Sequence, residues 1–426
     1  MTAIAIGVFV VVYVLIATEW VHRVVAALAG ASVLLLLQVL DAEEAFHARE
    51  TGIDWEVIFL LLGMMLIVAV LRRTGLFEYL AIWSAKRARG RPFRIMVILC
   101  VVTAVASALL DNVTTVLLVA PVTILIAERL GTSPVPYLIA EVLASNIGGT
   151  ATLVGDPPNI IIGSRAGLSY AEFLVNLGPI TLIVLILFLG LARFLFRRHL
   201  EVDPGRVAEV MSLDEREAIR DRGLLVRSLL VLTIVTLAFL ANTVLGYDPS
   251  VIALLGGGLL VGISRREVGE LIRDVEWETL LFFAGLFIMV GSLVEVGALD
   301  AVAEAAEAAT GGSLLVAVML ILLVSGALSG LVDNIPYVAA MTPVVAGLTA
   351  GLGAGNVLWW ALALGADLGG NATVVGASAN VVVVGIARRA GYPIRFAEFL
   401  GYGVVVTALS MVVSAAYLWV RYFLLA

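Results

Sequence analysis

Apolar runs of about the ~20 residues that a helix needs to cross a bilayer recur along the whole chain, near residues 2 to 18, 23 to 40, 55 to 71, 173 to 197, 224 to 245, 250 to 264, 277 to 294 and 399 to 422. Two more, near 134 to 165 and 356 to 387, are interrupted by Gly, Asn, Thr and Asp and predict discontinuous helices. Two longer apolar stretches, about 92 to 129 and 313 to 350, carry polar pairs at their centres, Asp111-Asn112 and Asp333-Asn334. Unpaired polar groups are costly in hydrocarbon, so such a pair predicts two helices meeting at a turn, as a re-entrant hairpin or as two full spans. The pattern gives an all-α polytopic membrane protein with about ten spanning helices, two of them discontinuous, plus two re-entrant hairpins.

The pattern also repeats. D-W-E-V-I-F-L-L-L-G from Asp54 returns as E-W-E-T-L-L-F-F-A-G from Glu276, and S-A-L-L-D-N at 107 to 112 returns as S-G-L-V-D-N at 329 to 334. N-I-G-G-T-A-T-L-V-G-D-P-P-N, Asn146 to Asn159, aligns with D-L-G-G-N-A-T-V-V-G-A-S-A-N, Asp367 to Asn380. Residues 1 to 197 form a first repeat and 224 to 426 a second, with a polar linker at 198 to 223.

Charge orients these elements. Arg72, Arg73, Lys86, Arg87, Arg89, Arg91 and Arg94 follow the third span, and Arg193, Arg197, Arg198, Arg206, Arg216, Arg220, Arg222 and Arg227 surround the linker, so both regions belong in the cytoplasm by the positive-inside rule. Both termini then lie on the outer side of the plasma (inner) membrane. The second copy of the basic segment, Ser292 to Gly312, has no Lys or Arg and carries Glu295, Asp300, Glu304 and Glu307. That charge swap predicts inverted repeats, the plan of secondary transporters, whose site lies near the midplane where the repeats meet.

Composition narrows the class. The chain has 426 residues, 62% hydrophobic and 14% charged, with one cysteine, Cys100. A lone cysteine excludes an internal disulfide and a thiolate metal cluster. No Gly-rich loop leads into Gly-Lys-Ser/Thr, so the chain has no P-loop of its own, although a soluble ATPase could dock on the linker. No cofactor, resident metal or nucleic-acid partner is expected, and a monomer or homodimer suits a membrane carrier. Glu43 and His47 share a short helical face, where solvation outweighs metal binding. His199 falls in the linker, and Glu56, Glu276 and Glu278 fall at span ends, where solvation is expected. An aspartate-dyad protease needs Gly-x-Gly-Asp; Asp367 stands in L-G-A-D, and the chain reads as no enzyme.

The polar groups inside the spans are the candidate site. Gly149 and Gly370 permit unwinding and close backbone approach, beside Asn146, Thr150, Thr152, Asn159, Asn371, Thr373 and Asn380. Asn112 and Asn334 at the hairpin turns offer both donor and acceptor to a solute. Asp156, Asp367, Asp111 and Asp333 are the candidate proton or cation carriers. For Asp156, and with equal weight for Asp111 and Asp333, the competing role is a helix cap. Pro157 and Pro158 impose a hard break that the second copy, with Ala377, Ser378 and Ala379, lacks. Glu141 is placed to reach the same cavity.

The D-N-V-T and D-N-I-P turns, G-D-P-P-N, E-W-E-T-L-L-F-F and L-G-G-N-A-T-V-V-G-A-S-A-N-V-V-V-V-G-I-A together resemble the ion transporter superfamily, in its arsenite permease and melanosomal P-protein branch. The resemblance covers nearly the whole chain from about Asp54. It implies a scaffold and a transport part in each repeat, elevator-type movement, and a solute held between Asn112 and Asn334 and the unwound stretches Gly149 to Thr152 and Gly370 to Thr373. The function it implies is proton-coupled efflux of arsenite or antimonite, with sodium/proton antiport as the alternative and a small anion or carboxylate as a more distant one. Dicarboxylate carriers have Ser-Asn-Thr at these turns, where this chain has Asp-Asn.

Overall fold

The computed structural model describes residues 1–18, 20–48, 50–197, 206–207 and 211–425. Arg198, His199 and most of the first half of the linker lie outside the described residues. Every regular element among them is helical. Eight helices are long and apolar enough to span a membrane: Trp55–Arg72, Pro92–Leu109, Asn112–Leu130, Tyr170–Leu195, Arg222–Leu240, Trp277–Glu295, Asn334–Leu352 and Phe396–Leu424. Three expected spans are shorter helices, Thr2–Ala17, Arg23–Leu36 and Pro249–Ser264. The all-helical, multi-span expectation holds. Both legs of the first hairpin, 18 and 19 residues long, are among these eight.

The expected breaks fall at the glycine pairs. The first interrupted segment is Val135–Gly149 and Pro157–Ala166, and the second is Val357–Gly369 and Ser378–Arg389. None of these pieces, 15, 10, 13 and 12 residues long, crosses a bilayer alone at 1.5 Å per residue. Pro157 opens its helix, where a missing N–H costs nothing, and Asp156 before it is extended at φ −139°, ψ 133°. Ala377 takes nearly the same backbone, φ −146°, ψ 141°, without a proline. The second break therefore does not depend on proline.

Two kinds of packing organise the helices. Trp55–Arg72 packs on Pro249–Ser264, and Trp277–Glu295 packs on Arg23–Leu36, so each tryptophan helix pairs with a helix of the other half. Small residues permit the approach: a Cβ on Gly63 would lie 2.4 Å from the Ala253 carbonyl carbon, and one on Gly285 2.9 Å from that of Ala27. The second legs of the hairpins also cross between the halves, Asn112–Leu130 packing on Ser378–Arg389 and Asn334–Leu352 on Pro157–Ala166, whereas the entering legs pack within their own half. Pro92–Leu109 lies on Val135–Gly149, and Leu314–Ser329 lies on Val357–Gly369.

On the polar side, Arg73 bridges to Glu270 at 2.5 Å and Asp274 at 2.8 Å. Lys86 bonds Glu215 and donates to the Leu213 carbonyl at 3.0 Å, tying the linker to the helix Leu76–Arg87. The Lys86 ammonium holds the Glu215 carboxyl below its usual range, so this tie is present at neutral pH and is lost as pH falls through that depressed value. Glu43 and His47 do meet, at 3.7 Å, on an exposed face. Among the described residues no third ligand joins them.

Candidate functional site

Each helix break is closed by its hairpin through the same set of hydrogen bonds. In the first half the Asn112 N–H donates to the Gly155 carbonyl at 3.0 Å, and in the second the Asn334 N–H donates to the Gly376 carbonyl at 3.2 Å. The Thr152 hydroxyl donates to the Ala108 carbonyl at 2.6 Å and accepts from the Gly155 N–H at 3.1 Å. Thr373 does the same with the Gly330 carbonyl, 2.7 Å, and the Gly376 N–H, 3.1 Å. Ser107 donates to the Ser145 carbonyl at 2.7 Å, and Ser329 to the Ala366 carbonyl at 2.6 Å. These bonds satisfy backbone groups that a broken helix leaves without partners.

The loops close only because of glycine. A Cβ on Gly149 would lie 2.5 Å from the Gly155 carbonyl oxygen, and one on Gly155 would lie 2.4 Å from that of Gly149. The second loop repeats the crossing at Gly370 and Gly376, at 2.8 and 2.6 Å.

Within this frame the side chains of both halves form one buried network. The Asn112 amide donates to Asp156 Oδ2 at 2.7 Å and to Asn146 Oδ1 at 3.1 Å. The Asn334 amide donates to the other oxygen, Asp156 Oδ1, at 3.4 Å. Both hairpin turns thus converge on one carboxylate. Asn146 crosses between the halves as well, donating to Asn371 Oδ1 and Asn380 Oδ1, each at 2.9 Å. Asn380 and Asn159 each reach back into their own loop, to the Thr373 carbonyl at 2.8 Å and the Thr152 carbonyl at 3.1 Å. Asn112, Asn146, Asp156, Asn159, Asn334, Asp367, Asn371 and Asn380 are all buried.

The remaining candidates divide by role. Asp156 makes no capping bond to the helix that follows it. Asp111 does cap, accepting from the Thr114 N–H at 2.7 Å, and Asp333 accepts from the Ile335 N–H at 3.0 Å. Thr150, Thr152 and Thr373 have their hydroxyl protons committed to backbone carbonyls, at 2.9, 2.6 and 2.7 Å. Among the described residues, both oxygens of Asp367, Asn112 Oδ1, Asn159 Oδ1 and Asn371 Nδ2 are buried without a hydrogen-bond partner. Glu141 is turned to Thr123, whose hydroxyl donates to it at 2.7 Å, and it bonds no residue of the network. Glu276 departs from the solvated expectation: it is half-buried and accepts from Thr279 at 3.2 Å and Thr114 at 3.5 Å, because the first hairpin reaches the start of its helix.

Arg23 is the participant that sequence reading missed. Its guanidinium donates to Ser378 Oγ at 2.6 Å and to Asp333 Oδ2 at 3.4 Å, and lies 5.5 Å from the centre of the Phe282 ring. Ser378 completes the triangle, donating to Asp333 Oδ2 at 2.7 Å. In sequence Arg23 is an ordinary charge at the start of a span. Arg23, Asp333 and Ser378 line a cavity of about 440 Å³ together with His22 and Glu278. Along the chain Asp333 precedes Asn334 directly and Ser378 lies two residues before Asn380. Charge-assisted hydrogen bonds contribute about 1.5–3 kcal/mol, and Arg23→Gln is expected to speed amide exchange at residues 331 to 334 by about tenfold or more. Unchanged exchange there would show that Arg23 does not hold the turn.

Two broken helices, two hairpins and a shared buried amide network are the parts of a carrier. A family model described as "CitMHS: Citrate transporter" matches residues 13–365. The chain belongs to the CitMHS family. Relatives of full length include an "uncharacterized transporter" of Mycobacterium tuberculosis, 56% identical over 428 residues and covering 100% of both chains. A 46 kDa membrane protein of Mycobacterium leprae is 55% identical over 429 residues, again covering 100% of both. The P protein of Homo sapiens is 34% identical over 502 residues, which take in 98% of this chain and 60% of that protein. The crystal structure of the YdaH transporter of Alcanivorax borkumensis shares the fold, with TM-score 0.63 at 17% identity over 95% of this chain and 98% of that one. This CitMHS member is therefore a multi-pass membrane transporter within the ion transporter superfamily, in agreement with the motif resemblance.

Proposed function

We propose that this transporter is a proton-coupled exporter of a small, uncharged inorganic hydroxide, arsenite or antimonite, working across the plasma membrane by elevator-type alternating access. The observation that carries the reading is the state of Asp156: a buried carboxylate, held by amides from both hairpins, with no Lys, Arg or His among the described residues bonded to it. A carboxylate buried without a cationic partner requires a proton or a bound cation as its counter-charge. Such a group suits proton exchange. It suits a polyanionic carboxylate poorly, since Asp156 and Asp367 would repel it and the Arg23 guanidinium at the cavity wall is already paired with Asp333.

The unpartnered atoms point the same way. Four of the five are acceptor oxygens, on Asp367, Asn112 and Asn159, which a neutral trihydroxide could satisfy with its three O–H donors. The same oxygens favour a second reading, sodium/proton antiport, because oxygen ligands of this kind also suit a hard cation.

In this account the two halves are inverted repeats, residues 1 to 197 and 224 to 426, and the hairpins with the broken helices are the moving parts. With the basic segments in the cytoplasm, His22, Arg23 and Glu278 face inward, and the 440 Å³ cavity is the cytoplasmic vestibule of an inward-facing state.

Expression in cells lacking their own arsenite and sodium exporters separates the readings. Protection against arsenite and antimonite that requires Asp156, with sodium tolerance unchanged, is expected. Restored sodium tolerance without arsenite protection would establish the second reading and defeat the first.

A further inference from the structure

A second charged cavity lies away from the transport site. About 580 Å³ in volume, it is lined by Arg91, Pro92, Phe93 and Arg94 at the start of the helix Pro92–Leu109 and by Arg193, Phe194 and Arg197 at the end of the helix Tyr170–Leu195. Four guanidinium groups thus converge from segments about a hundred residues apart. Among the described residues none of the four has an ion-pair partner, although Arg73, Lys86, Arg220 and Arg266 on the same basic side all do. Arg193 is held over the Phe93 ring, 5.5 Å from its centre, which fixes one wall of the cavity.

The apolar surroundings say what kind of anion would fit. Phe194 is 68% exposed beside Arg193. Arg94, Val101 and Val105 fall seven and four residues apart, on one face of their helix. Val101 and Val105 are exposed and enter an apolar crevice of about 300 Å³ that Leu80, Leu109, Leu229 and Leu232 also line. One helix face therefore connects four arginines that have no ion-pair partner among the described residues to an apolar crevice.

We infer that this cavity and crevice bind an anionic glycerophospholipid of the cytoplasmic leaflet, with its phosphate among Arg91, Arg94, Arg193 and Arg197 and an acyl chain along Val101 and Val105. Arginine forks suit phosphate oxygens, and basic pockets between membrane helices on the cytoplasmic side take anionic headgroups. The site lies on the first hairpin's entering leg, so an occupant would contact the element that carries Asp111 and Asn112 at its far end. A soluble phosphate would use the arginines and leave the crevice unfilled.

The test is native mass spectrometry of the intact detergent-purified transporter, titrated with dioleoyl phosphatidylglycerol, dioleoyl phosphatidylcholine or glycerol 3-phosphate. The variants are R94Q/R193Q and the charge-preserving R94K/R193K, with melting curves to verify folding. Phosphatidylglycerol should bind the wild type more tightly than phosphatidylcholine. At about fivefold per basic residue near an anionic headgroup, R94Q/R193Q should weaken phosphatidylglycerol roughly thirtyfold, with phosphatidylcholine unchanged and R94K/R193K retaining part of the affinity. Equal binding of the two lipids, or the same phosphatidylglycerol affinity in a folded R94Q/R193Q variant, would overturn the assignment. Glycerol 3-phosphate binding as tightly as the lipid would overturn it too, by showing a site for soluble anions.

Discussion

Asp156→Asn is expected to give a folded protein that exchanges its solute downhill and no longer accumulates it against a pH gradient. The substitution keeps the size of the side chain and replaces one acceptor oxygen by a donor. Asn112 and Asn334 both donate to Asp156, at 2.7 and 3.4 Å, so one of those amides would then face another N–H. Losing one hydrogen bond to a charged acceptor costs about 1.5–3 kcal/mol, which weakens the network without dismantling the backbone bonds that close the loops. What disappears is the carboxyl group proposed to carry the proton. Gradient-driven uptake in proteoliposomes should fall to the level of empty vesicles; a variant that keeps its proton dependence would remove Asp156 from the coupling role.

Gly155→Ala is expected to inactivate and destabilise the protein through a single added methyl group. The added Cβ would sit 2.4 Å from the Gly149 carbonyl oxygen and 2.9 Å from that of Ser107, both backbone atoms that cannot swing aside. Overpacking of this kind costs about 1–3 kcal/mol or more. Here it also displaces the Gly155 carbonyl that accepts the Asn112 N–H at 3.0 Å, so the first hairpin turn loses its seat. Gly190→Ala is the control, since nothing lies within 4 Å of the position its Cβ would take. Transport assays and melting curves should show Gly155→Ala inactive and less stable and Gly190→Ala unchanged. Equal behaviour of the two would mean that the loop does not need the Gly149–Gly155 crossing.

Much of this architecture was legible from residue types. Asp-Asn pairs midway along apolar stretches marked the hairpins, and Gly-Gly before Asn and Thr marked the breaks, because the bilayer leaves few other reasons for polar groups at such depth. The repeat at fixed spacing also foretold that Thr152 and Thr373, or Asn159 and Asn380, would have matching surroundings. It gave no hint that the threonine hydroxyls are committed to hairpin carbonyls, since solute contact and backbone locking ask for the same residue. The double acceptance by Asp156 was hidden for another reason: Asn334 is 178 residues away, and its counterpart position in the second copy is Ala377. One carboxylate serving both hairpins accounts for that alanine. Arg23 was hidden because a charge beginning a span is what membrane topology alone would place there.

One carboxylate, Asp156, links the two halves and is proposed to trade protons for the solute. The most direct test of that exchange is proton movement in proteoliposomes that contain a trapped pH indicator, with antimonite added to one side and no imposed gradient. Wild-type vesicles should show protons moving opposite to antimonite, and Asp156→Asn vesicles should pass antimonite with no pH change. Antimonite flux in the wild type without proton movement, or proton movement that survives in Asp156→Asn, would contradict it.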